Sequence, residues 1–120
     1  MCKNLFLRDA KGTRHFLVVL KKDKKADLKS LQRQLGTSRL GFASEERLYK
    51  YLRLTPGEVT PLAVANDTGH EVEVVFDADL AGKDRIGVHP NDNTATVWLT
   101  FEALEKYVAH YGSIVHFADI

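Results

Sequence analysis

No polar residue interrupts Phe16-Leu17-Val18-Val19-Leu20. In a strand, successive side chains point to opposite faces, so this run is apolar on both and needs cover on both. It therefore belongs at the centre of a sheet. A shorter run, Leu5 to Leu7, precedes it across Asp9-Ala10-Lys11-Gly12-Thr13, where Gly12 permits a positive φ. The pair reads as a β-hairpin.

Helical signals follow. Asp27 is an N-cap candidate for Leu28, Leu31 and Leu35, with Gly36 as C-cap. Arg39 to Phe42 reads as a short strand. Ser44 caps Glu45 to Leu52, whose two leading glutamates suit a helix N-terminus. Thr55-Pro56-Gly57 is a turn, and Pro61 is expected to start a strand through Leu62 to Ala65. Asn66-Asp67-Thr68-Gly69 then reads as a hairpin turn into a half-exposed strand, Val72-Val74-Phe76 with alternate glutamates at 71 and 73. Asp77 to Leu80 suggests one helical turn. Arg85 to Val88 and Thr94 to Leu99 read as strands around a polar loop. Thr100 caps an amphipathic helix ended by Gly112, and Ile114 to Phe117 forms a last strand.

About seven strands and three or four helices, mixed in order, predict an α+β fold. The expected architecture is a mixed, largely antiparallel twisted sheet with packed helices. At 120 residues the chain is expected to be a single domain over 1–120. Its net charge of +1 excludes a grossly basic nucleic-acid binder but not local basic patches. No apolar run approaches the roughly 20 residues of a membrane span. Cys2 is the single cysteine, which precludes an internal disulfide and suits a reducing cytoplasm. The histidines show no HExxH or Cys/His spacing, so no metal and no cofactor is expected. Lys3 beside Cys2 is a way to lower a thiol pKa, but nothing orients a base toward that thiol.

Several segments together carry a resemblance. Lys3-Asn4-Leu5-Phe6-Leu7-Arg8-Asp9, Ser38-Arg39-Leu40-Gly41-Phe42-Ala43-Ser44-Glu45-Glu46, Leu54-Thr55-Pro56-Gly57-Glu58-Val59-Thr60-Pro61-Leu62-Ala63, and His89-Pro90 with Asn93-Thr94-Ala95-Thr96 follow in order along nearly the whole chain. This pattern resembles the YbaK/prolyl-tRNA synthetase-associated domain family, and within it the freestanding ProX-type prolyl-tRNA editing branch. The resemblance implies a trans-editing hydrolase that cleaves the ester of a mischarged aminoacyl-tRNA, with alanyl-tRNA(Pro) as leading substrate. It implies Lys3 and His89 as catalytic residues. It also implies substrate binding by Asn4, Gly57, Thr60, Pro61, Ala63 and Asn93, with the Gly57 to Pro61 loop lining the aminoacyl pocket. The implied partners are the acceptor end of tRNA and prolyl-tRNA synthetase, with no membrane.

The family normally carries a further helix and strand before the Lys-Asn-Leu-Phe-Leu element, so the chain is expected to be an N-terminally shortened member. That expectation keeps an alternative open, a non-catalytic module that binds tRNA or a synthetase. The run Lys21-Lys22-Asp23-Lys24-Lys25, with Arg8, Lys11 and Arg14, offers cations for acceptor-stem phosphates; its ordinary role is a solvated loop.

Overall fold

The computed structural model describes residues 2–88 and 96–120. Its elements run β1 (Cys2–Arg8), β2 (His15–Lys21), α1 (Leu28–Leu35), β3 (Gly41–Phe42), α2 (Glu45–Leu52), a 3-10 segment Pro61–Asn66, β4 (Val72–Asp77), a 3-10 turn Ala78–Leu80, β5 (Ile86–Val88), β6 (Val97–Leu99), α3 (Phe101–His110) and β7 (Val115–Ala118). The main sheet has the order β3-β1-β2-β4-β7, and β5 and β6 form a separate ribbon.

β2 lies mid-sheet, antiparallel to β1 and parallel to β4, as its two apolar faces require. Leu17 and Val19 face α2, α3 and the Pro61–Asn66 segment, where Leu48, Leu52, Val64, Leu104 and Val108 complete a core cluster. Phe16, Val18 and Leu20 face the other way, against Leu31 of α1 and Leu40. The strands thus alternate between two cores. The β1–β2, β1–β3 and β5–β6 pairs are antiparallel, and β2–β4 and β4–β7 are parallel. This is the mixed α+β sheet expected.

The caps follow the sequence. Asp27 accepts from the N–H groups of Lys29 and Ser30, Ser44 from Arg47 and Thr100 from Ala103. Gly36 closes α1 at φ 64°.

Two local readings are corrected. Pro61 starts a 3-10 helix rather than a strand: the Thr60 hydroxyl accepts from the Leu62 N–H, and proline suits the first helical position. Asn66 and Asp67 do not turn a hairpin, because β4 pairs in parallel with β2. Asp67 instead accepts from the N–H groups of Glu71 and Val72 (3.1 and 2.8 Å) and so launches β4. β4 is buried throughout rather than half-exposed, lying between two strands with both faces covered. Glu73 is tolerated there because the Arg14 guanidinium grips both its oxygens (3.0 and 2.9 Å) and His116 Nε2 lies 2.8 Å away.

Candidate functional site

Strand alternation divides the opening of β1. Cys2 and Phe6 belong to the core facing α2 and α3, and Leu5 and Leu7 pack on the opposite side. Asn4 follows Cys2 and Phe6; Lys3 follows Leu5 and Leu7.

The Asn4 side-chain amide donates to the carbonyl of Val59 at 3.1 Å. This bond joins the start of β1 to the Gly57 to Pro61 loop. Between them lies a hollow of about 210 Å³, walled by Asn4, Phe6, Ser44, Leu48, Gly57 and Val59. Gly57 has φ +90°, a conformation that L side chains rarely adopt, and no heavy atom lies within 4 Å of the place its Cβ would take. Backbone freedom, not crowding, is what demands glycine here. The Asn4 Oδ1 is buried and has no hydrogen-bond partner in the described structure. A buried acceptor without a donor is unfavourable, which marks it as a point where a donor is accommodated.

The other implied positions divide. Thr60, Pro61 and Ala63 are buried behind the loop and frame it without lining the hollow. Lys3 is turned to the other face of the sheet, where its ammonium donates to the carbonyl of Lys24. The structure therefore brings Asn4 and the Gly57 loop together and does not bring Lys3 to them. His89 and Asn93 lie outside the described residues.

A second concavity, about 480 Å³, lies on the Asn4 side of β1. Cys2, Leu80 and Ile86 contribute apolar surface, and Lys21, Lys22, Lys83 and Arg85 surround them with one carboxylate, Asp23. Burial pushes the Cys2 thiol up, which disfavours a thiolate nucleophile. The Arg85 guanidinium stacks 4.5 Å from the ring centre of Trp98, which is 48% exposed. Sequence reasoning missed Lys83, Arg85 and Trp98. Gly87 pairs with Trp98 across β5 and β6, and no spacing along the chain announces that register. Among the described residues, no group of three His, Cys, Asp or Glu side chains gathers to hold a metal. No described helix is long and apolar enough to cross a membrane.

The pattern of the Aminoacyl-tRNA editing domain matches residues 1–107. This chain belongs to the aminoacyl-tRNA editing domain family. The editing domain is 60% identical over 111 residues to the prolyl-tRNA editing protein ProX of Acetoanaerobium sticklandii, covering 92% of this chain and 68% of that protein. It is 43% identical over 108 residues to prolyl-tRNA synthetase associated domain-containing protein 1 of Danio rerio, covering 88% of this chain and 58% of that one. Among solved structures, a candidate trans-editing enzyme for prolyl tRNA synthetase superposes with a TM-score of 0.76 at 20% identity, covering 98% of this chain and 68% of that chain. That likeness supports the fold of the editing domain.

Proposed function

We propose that this editing domain hydrolyses the ester bond of a mischarged aminoacyl-tRNA, alanyl-tRNA(Pro) foremost. The observation that carries the reading is the Asn4–Val59 bond, which closes a small hollow beside a glycine loop and leaves the Asn4 Oδ1 free to accept. An aminoacyl ester is already activated, so the protein's task is to orient it beside water and to stabilise charge developing on the carbonyl oxygen. Apolar walls from Phe6, Leu48 and Val59 suit a small aliphatic side chain such as a methyl. Lys3 is the cation the family reading assigns to the developing oxyanion, a role that requires its side chain to be redirected from the Lys24 carbonyl on the other face. His89 and Asn93 complete the substrate contacts. The partners are the tRNA acceptor end and prolyl-tRNA synthetase, in the cytoplasm.

One observation favours a second reading, a module that binds tRNA or a synthetase without hydrolysis: the Lys3 ammonium is engaged on the face away from the hollow. Deacylation of alanyl-, cysteinyl- and prolyl-tRNA by the purified chain and by Lys3→Ala separates the two. The hydrolase reading expects alanyl-tRNA(Pro) to be cleaved fastest and the variant to fall to background. Equal rates at background for both proteins would leave only the binding module.

A further inference from the structure

Cys2 faces the larger cleft and Asn4 the small hollow, and they stand two residues apart on one face of one strand. At about 3.3 Å per residue, the two concavities are separated by only about 7 Å along β1. Their linings differ in kind. The hollow is small and largely apolar, with Asn4, Ser44 and Glu45 as its polar lining. The cleft combines an apolar floor with four cations, Lys21, Lys22, Lys83 and Arg85, against the single carboxylate of Asp23.

Among the described residues none of these four cations forms an ion pair. The nearby carboxylate of Asp79 is already bound by Lys24 at 2.6 Å. Unpaired cations around apolar surface suit a ligand with both phosphates and flat apolar faces, which is the composition of a single-stranded nucleic acid. Arg85 adds a planar surface: its guanidinium is stacked on Trp98, and guanidinium and indole planes both stack bases.

We propose that this cleft binds the single-stranded 3′ tail of the substrate RNA, immediately before its acylated terminal nucleotide. Lys83 and Arg85 take the phosphates and the Arg85–Trp98 pair takes a base. The tail then runs along β1 from Cys2 toward Asn4 and delivers the ester to the hollow. The proposal rests on reading the chain as an aminoacyl-tRNA hydrolase, and it names the surface that holds the RNA end.

The test uses two fluorescein-labelled acceptor-stem hairpins, one with its single-stranded 3′ tail and one without, titrated by anisotropy over a range of salt. For the unmodified protein, removing the tail weakens binding by about tenfold, since each stacked base and phosphate contributes substantially. Lys83→Ala with Arg85→Ala abolishes that tail preference. It also lowers the slope of log affinity against log salt by about 1.4, from two charges on a single strand. Trp98→Ala reduces the tail preference and leaves the slope unchanged. Lys29→Ala with Arg33→Ala, an equal charge loss on α1 across the sheet, changes neither quantity. All five side chains are exposed, and a thermal melt verifies that each variant folds.

Tail-independent binding by the unmodified protein, or a full tail preference in the Lys83/Arg85 variant, overturns the proposal. Deacylation is measured in parallel. Cleavage of alanyl-tRNA(Pro) with KM unchanged in the Lys83/Arg85 variant removes the cleft and keeps the hydrolase. Tail-dependent binding without cleavage keeps the cleft and removes the hydrolase.

Discussion

Asn4 and Val59 are 55 residues apart in the chain and 3.1 Å apart in space, joined by a side-chain amide donating to a backbone carbonyl. That bond helps to hold the Gly57 loop against the first strand, beside the packing of Val59 on the core. Asn4→Ala removes the donor and leaves the Val59 carbonyl to find another. The expected result is a stability loss of about 1 kcal/mol in urea titration, the usual contribution of one such bond. A larger fall, about tenfold or more in kcat/KM for alanyl-tRNA(Pro), is expected because a misplaced loop costs orientation. Retention of full kcat/KM would detach the hollow from catalysis.

Gly57→Ala tests the loop from the other side. Nothing crowds the new methyl, so the whole effect comes from forcing an L residue to φ +90°. The backbone cost is about 1–2 kcal/mol, and the loop is exposed enough to relieve it by shifting. The prediction is a nearly unchanged melting temperature with a clear loss of deacylation. Loss of folding with activity retained in the surviving fraction would contradict it.

Acid should destabilise the protein in two stages. Burial, and then the Arg47 cation whose Nη1 lies 3.0 Å from its Nε2, hold His15 below the ordinary histidine value of 6.5. The unfolded chain therefore takes up a proton near that value while folded His15 stays neutral. Stability falls as pH drops from there toward the folded pKa. Burial alone would raise Glu73, but hydrogen bonds from Arg14 and His116 outweigh it and place its pKa below 4.5. Its contribution is present above 4.5 and is lost as pH falls through the lower folded value. Urea midpoints measured across pH should show both declines. His15→Phe, which keeps a ring between Phe6 and Tyr51, should abolish the first and leave the second.

Asp77 closes β4 with a carboxylate whose side chain is only 1% exposed. It accepts from the Asp79 N–H and from Lys24 Nζ, both at 3.0 Å, and more distantly from the Lys21 N–H at 3.4 Å. Asp77→Ala should cost about 2–3 kcal/mol, as expected for a buried charged acceptor with such partners. Lys24→Ala should lower the melting temperature too, by leaving that carboxylate without its cation. Calorimetric melts of both variants at neutral pH check this; an unchanged melting temperature in Asp77→Ala would refute the structural role.

That pairing also bears on the lysine-rich run. The sequence offers Lys21, Lys22, Lys24 and Lys25 as equivalent cations for RNA. Folding engages Lys24 with Asp77 and Asp79, and Arg14 with Glu73, while Lys21 and Lys22 line the basic cleft. Which of the charges remain available is decided by partners distant in the chain.

Local chemistry is legible because its causes are local. The caps at Asp27, Ser44 and Thr100, the glycine at the end of α1 and the two-faced β2 all follow from residues within one or two turns of each other. The family, too, is carried by motifs readable in order along the chain. The Pro61 segment and the burial of β4 were not legible. An apolar run of four residues suits a strand or a helical turn equally well, and glutamates at alternate positions suggest exposure unless an arginine and a histidine are known to await one of them.

From sequence alone came most of the elements, their caps, the central strand and the kinship, since each depends on neighbours along the backbone or on ordered motifs. Tertiary structure alone decided which face of β1 each residue serves. Strand alternation sends Asn4 to the Gly57 loop and Lys3 away from it, and the β5–β6 register sets Trp98 beneath Arg85. A site assembled from side chains many residues apart exists only once sheet pairing has fixed their directions, and that pairing is a property of the whole fold.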